Sequence, residues 1–151
     1  MTFDNLSCMI ADGVAVVTID RPKVLNALNN QTLAELASCL ADLKANAAVR
    51  AIVLTGAGEK SFVAGADINE LAALSPVEGQ AHARRGQLIF DAIEQLGKPV
   101  VAAVQGLCLA ATVLAISAWL ARGSRPRVAK TRAHAISSRV GYAGLVLVTG
   151  L

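Results

Sequence analysis

At 151 residues, with 54% hydrophobic but only 3% aromatic content, the chain has room for one domain with a core of Ala, Val, Leu and Ile. Its three cysteines (Cys8, Cys39, Cys108) are odd in number, widely spaced and without a CxxC pair, which excludes a disulfide framework or zinc site and fits a reducing, cytoplasmic setting. The net charge of +3 is uneven: residues 1–109 hold all 11 acidic and 8 basic residues, whereas 110–151 carry only Arg122, Arg125, Arg127, Lys130, Arg132 and Arg139, a tail that raises a nucleic-acid or membrane partner.

Met1 to Asp4 has neither the basic nor the apolar region of a secretory signal. Val14 to Ile19, β-branched and closed by Asp20-Arg21-Pro22, reads as a strand. From Gln31 to Lys44, Leu33, Leu36, Leu40 and Leu43 recur at spacings of three and four, the pattern of an amphipathic helix capped by Asn29 or Asn30. Ala51 to Leu54 is a second buried strand. Asp67 with Glu70 three residues on predicts a capping-box start to a short helix ending near Ser75-Pro76. Ala81, Leu88, Ile89, Ile93 and Leu96 mark a longer helix from Pro76 to Leu96, followed by a third strand, Val100 to Val104. The apolar run from Val100 to Ala121 is long enough for a membrane span. Gln105 and Gly106 within it, and β-branched Val100-Val101, argue instead for a buried strand, a turn and a buried helix. Strands alternating with helices predict an α/β fold.

The chemistry concentrates at Ala64-Gly65-Ala66-Asp67. Three small residues leave the backbone uncovered where a helix begins, and N–H groups at a helix start lack internal partners and favour negative charge. Preorganised N–H donors of this kind stabilise an oxyanion, each contributing about 3 kcal/mol.

Three segments then carry a family likeness: Arg21-Pro22-Lys23-Val24-Leu25-Asn26-Ala27-Leu28-Asn29, Leu54 to Ile68, and Lys98 to Leu109. In that order and spacing, residues 1–109 resemble the enoyl-CoA hydratase/isomerase (crotonase) family. The resemblance implies a spiral of ββα turns that binds an acyl-CoA thioester, with coenzyme A entering as part of the substrate and no separate cofactor or metal. It assigns Lys23, Val24, Leu25 and Ala27 to the cradle of the CoA nucleotide, and Ala64, Gly65, Asp67 and Ile68 to the loop that holds adenine and pantetheine. It makes the Ala66 N–H one donor to the thioester oxygen and Ala111 the second. Members of the family assemble as trimers or hexamers, and the activity implied is hydration of 2-trans-enoyl-CoA.

After Leu109 the pattern departs. The family run Gly-Gly-Gly-x-Glu-Leu-Ala is replaced by Ala110-Ala111-Thr112-Val113-Leu114-Ala115, so Val113 or Leu114 stands where the first catalytic glutamate belongs. The second glutamate belongs near Arg132 to His134, yet no acidic residue follows Glu94. A general acid–base group of this kind contributes about 10²–10⁴-fold. Residues 110–151 are therefore expected to be a divergent basic tail arising from a shifted reading frame: codons for Thr131-Arg132-Ala133 can read one base on as Pro-Glu, and Gly141-Tyr142-Ala143-Gly144 resembles a family Pro-Gly-x-Gly-Gly segment. The chain is expected to be a truncated crotonase core lacking the helical trimerisation part, with impaired hydration.

Two other readings compete: an inactive relative retaining at most CoA binding, and a basic membrane- or nucleic-acid-associated protein. The basic tail has only Trp119 and Tyr142 as aromatics, a poor stacking platform, so neither nucleic acid nor membrane is expected as partner. Asp67 also reads as a plain helix cap and Lys23 as a solvated lysine. Glu59 reads as a solvated loop residue beside the site, His82 and His134 as isolated surface or core histidines, and Cys108 as a small buried hydrophobe.

Overall fold

The computed structural model describes residues 3–108, 128–129 and 145–149. Strands β1 (Leu6–Ala11) and β2 (Val14–Ile19) form an antiparallel hairpin around the two-residue turn Asp12-Gly13. The chain then crosses through helix α1 (Asn30–Ala45) to β3 (Ala51–Gly56), which lies parallel to β2. A short β4 (Ser61–Val63) follows, then α2 (Ile68–Ala72), α3 (Pro76–Glu94) and β5 (Val100–Val104), parallel to β3. Next comes β6 (Leu107–Cys108), which pairs in parallel with β4 in a separate two-stranded sheet. Strands β7 (Val128–Ala129) and β8 (Leu145–Thr149) extend the larger sheet, whose order is β1-β2-β3-β5-β8-β7, with β8 antiparallel to β5.

From β3 the chain passes through β4 of the small sheet and returns by α2 and α3 to β5, and from β5 it enters β6, so each of these two passages gives one strand to each sheet. This mixed α/β arrangement is the ββα spiral implied by the sequence motifs. No helix among the described residues is long and apolar enough to cross a membrane, and Val100 to Val104 is a sheet strand.

Helix α1 forms for the reasons its sequence states. The Asn29 side chain accepts from the Thr32 N–H at 2.8 Å and its own backbone is extended, as an N-cap requires. Leu33, Leu36, Cys39, Leu40 and Leu43 are all buried and meet Val17, Ile19 and Ile52 of the sheet. Each such leucine contributes about 1.5–3 kcal/mol on burial. Lys98 Nζ donates to the Leu43 and Asn46 carbonyls at 2.6 and 2.7 Å, placing a cation against the negative end of the α1 dipole. Burial, with the neighbouring Cys8 thiol, pushes the Cys39 thiol up to about 12.

Two local expectations are corrected. Asp67 does cap α2, accepting from Asn69 N at 3.2 Å, but Glu70 does not close a capping box. Its carboxylate instead accepts from the Asn30 N–H at 2.8 Å and from Asn30 Nδ2 at 2.6 Å, at the start of α1. The box forms at the next helix, where Ser75 and Glu78 satisfy each other's backbone N–H groups. Along α3 only His82 and Ile89 are buried, while Leu88, read as a core position, is half exposed. Strands β1, β4 and β6 come in addition to the strands that the sequence pattern predicts.

Candidate functional site

The loop after β2 and the segment after β4 run side by side. Pro22–Val24 make one turn of 3₁₀ helix with proline in its first positions, and the turn ends at Leu25 in the left-handed region, φ 54°. Asn26 follows, also left-handed at φ 57°. Two consecutive non-glycine residues there cost about 1–2 kcal/mol each, and the conformation persists because Asn26 is bonded on every side. Fully buried, it accepts from the Arg21 N–H at 3.0 Å and donates through Nδ2 to the Ala57 and Ser61 carbonyls at 3.0 and 2.8 Å.

Gly56, at the end of β3, lets that amide in. A Cβ at Gly56 would stand 2.2 Å from the Phe62 carbonyl and 2.6 Å from Asn26 Nδ2. Gln105 completes the frame, its Nε2 donating to the Gly56 and Gly58 carbonyls while Thr55 bonds its Oε1 at 3.1 Å.

Residues 25–28 and 64–67 then pair in strand-like fashion. Ala64 N donates to Leu25 O at 3.1 Å, Leu28 N to Gly65 O at 2.8 Å, and Asp67 N to Leu28 O at 2.9 Å. The Gly65–Ala66 peptide is trans and planar, so a Gly65 carbonyl aimed at Leu28 turns the Ala66 N–H to the opposite edge. That N–H has no hydrogen-bond partner among the described residues, and Ala66 is exposed. Gly65 sits at φ 122°, which only glycine adopts without strain. The backbone therefore presents the Ala66 N–H as a free donor, held in orientation from behind.

The two strips are locked by an ion pair. Arg21 Nη1 and Nη2 both lie 3.1 Å from Asp67 Oδ2, and Nη1 also donates to the Ala27 carbonyl. On the other side of the 3₁₀ turn, Pro22, Lys23, Leu25 and Asn26 face Ala57 to Ser61 across an open cleft of about 420 Å³. Lys23 and Lys60 line it with Glu59, so two cations border a space large enough for part of a nucleotide.

The residues singled out in the sequence fall into two groups. Lys23 and Leu25 line the cleft, with Val24 exposed beside them, whereas Ala27, Ala64, Gly65, Ala66 and Asp67 belong to the paired strips. Ile68 opens α2 and is 77% exposed. Ala111, the expected second donor, lies outside the described residues, as do His134, the altered Ala110–Ala115 run and the basic cluster. Sequence reasoning missed the side chains of Arg21, Asn26, Lys60 and Gln105. A buried asparagine in a tight loop has a local signal, since Asn tolerates left-handed backbone and bonds nearby carbonyls. His82 is a core histidine, its Nδ1 3.0 Å from Asn30 Oδ1. No cluster of three or more metal-ligating side chains occurs among the described residues.

Fold and site together define a ββα-spiral protein whose loops after β2 and β4 form a braced platform with a free backbone donor. A family model described as enoyl-CoA hydratase/isomerase matches residues 9–120, and the chain belongs to that family. It is 51% identical over 109 residues to the short-chain-enoyl-CoA hydratase of Clostridium acetobutylicum, a match covering 72% of this chain and 42% of that protein. It is 41% identical over 109 residues to the crotonyl-CoA hydratase of Syntrophomonas wolfei, with the same coverage of 72% and 42%. Among solved structures, the enoyl-CoA hydratase from Bacillus anthracis superimposes with a TM-score of 0.67 at 34% identity, covering 68% of this chain and 40% of that one. The chain thus spans about two fifths of the length of the relatives it matches.

Proposed function

We propose that this chain binds an acyl-CoA thioester of the short-chain enoyl class, with the nucleotide phosphates at Lys23 and Lys60 and the thioester oxygen at the Ala66 N–H. The observation that carries this reading is the Ala66 peptide: its N–H is free, exposed and fixed in direction by the Gly65–Leu28 bond. An enolate oxygen gains about 3 kcal/mol from such a donor because the dipole needs no reorganisation as charge develops. The names of the similar hydratases support the substrate class.

The same proposal sets a limit on turnover. The 151 residues carry no carboxylate after Glu94, and hydration of an enoyl thioester needs one group to activate water and one to protonate the α-carbon. The chain by itself binds and polarises the thioester but hydrates it slowly. Isothermal titration with crotonyl-CoA and with CoA tests the binding. Lys23→Met and Lys60→Met are each expected to raise Kd about tenfold, the loss of one charge-assisted contact. No binding of either ligand refutes the proposal, and hydration as fast as that of the Clostridium acetobutylicum relative refutes the limit.

A further inference from the structure

We propose that the Arg21–Asp67 ion pair is the positioning device for the Ala66 donor, so that Arg21 controls how strongly a bound carbonyl is polarised without touching it. The inference rests on the thioester reading above and adds to it the residue that sets the geometry.

Ala66 is gripped on both flanks. Before it, the Gly65 carbonyl is held by the Leu28 N–H; after it, the Asp67 N–H is held by the Leu28 carbonyl. All of these groups are backbone, and a two-strand contact of so few bonds is free to slide unless something fixes its register. The Arg21 guanidinium supplies that restraint. It joins the Ala27 carbonyl, next to Leu28, to the Asp67 carboxylate, next to Ala66, and so spans both strips.

The pair is 16% and 13% exposed, so its attraction is screened far less than that of a surface pair. Asp67 Oδ1 also caps α2 at Asn69, so the carboxylate fastens the helix that follows the donor to the same guanidinium. Three N–H···O contacts from one planar fork define a direction, which a lysine ammonium cannot reproduce. Displacement of a positioned group by about 1 Å is enough to cost about 10²-fold in a reaction.

The test uses the full 151-residue chain and its Arg21→Lys and Asp67→Asn variants, each checked for folding by far-UV circular dichroism. The probe is a CoA thioester of para-dimethylaminocinnamic acid, whose absorption moves to the red when its carbonyl is polarised. The unaltered chain is expected to shift the band. Arg21→Lys, which keeps the charge and loses the fork, is expected to reduce the shift by at least half, and Asp67→Asn to do the same. Free CoA, which has no carbonyl to polarise, reports the nucleotide cleft separately, and its affinity for Arg21→Lys is expected to change by less than about threefold.

Amide hydrogen exchange gives the second readout. In Arg21→Lys the Leu28 and Asp67 amides are expected to exchange at least about tenfold faster, while the Ile52 amide, bonded to the Pro99 carbonyl in the core, stays unchanged. Folded variants with an undiminished red shift overturn the positioning role. A missing shift in the unaltered chain refutes the thioester reading alone. The positioning claim then stands or falls on the exchange rates, and unchanged exchange at Leu28 and Asp67 overturns it.

Discussion

Replacing Asn26 by alanine removes the keystone of the loop after β2. The side chain is fully buried and makes three hydrogen bonds, one to a backbone N–H and two to carbonyls. At about 1 kcal/mol net per bond, their loss amounts to about 3 kcal/mol. Alanine at φ 57° adds about 1 kcal/mol more, because its Cβ crowds the following carbonyl and it lacks the amide that compensates. Asn26→Ala is therefore expected to cost about 4 kcal/mol and Asn26→Gly about 3, a large share of the 5–15 kcal/mol that holds a typical domain together. Urea titration followed by far-UV circular dichroism measures both, with the m-values compared to confirm a common unfolded state. An Asn26→Ala variant within about 0.5 kcal/mol of the unaltered chain would show that the loop is held by something other than this amide.

Other outcomes follow from the same contacts. Gly56→Ala places a methyl 2.2 Å from the Phe62 carbonyl, so backbone must move; a loss of about 3 kcal/mol or more in the same titration is expected, and a neutral result would refute the close approach. The Ser75 hydroxyl and N–H hold the Glu78 carboxyl below its ordinary 4.5. A depressed carboxylate stabilises the fold above its unfolded value and loses that contribution as pH falls through the lower folded one. Exchange protection of the Glu78 and Gly79 amides is thus expected to hold above about pH 4.5 and fade below it, with no such fade in Glu78→Gln. Cys39, 2% exposed and pushed up to about 12, is expected to resist iodoacetamide at pH 8 in the folded chain and to react once urea unfolds it, as mass spectrometry of the peptides will show.

What could be read from the sequence depended on how far apart the interacting residues lie. Helix α1 announces itself because its leucines repeat within a single turn-to-turn pattern and all of them are buried. Strand β1 hides because Met9 and Ile10, neighbours on opposite faces, are both exposed, so Leu6 to Ala11 shows no alternation. Strand β4 has only three residues and all are buried, too short for any period to appear. Glu70 misled because the spacing from Asp67 satisfies the capping rule while the carboxylate is claimed by Asn30, forty residues earlier. The bare backbone at Ala66 was legible, since small residues before a helix start leave it uncovered. Its bracing was not: Arg21 reaches Asp67 across 46 positions, and Asn26 reaches Ser61 across 35.

Those separations also order the assembly of the chain on the ribosome. The hairpin and α1 contain what they need to collapse together once Val49 and Ile52 arrive. The loop between them does not, because Asn26 Nδ2 lacks its acceptors until Ala57 and Ser61 emerge, and Arg21 lacks its carboxylate until Asp67 does. Synthesis at about 5–20 residues per second leaves that interval open for about 0.5–3 seconds. During it Pro22 to Leu28 is an unanchored stretch within an otherwise formed unit, accessible to chaperone or protease. This tightly specified loop thus settles after the hairpin and helix that flank it in sequence.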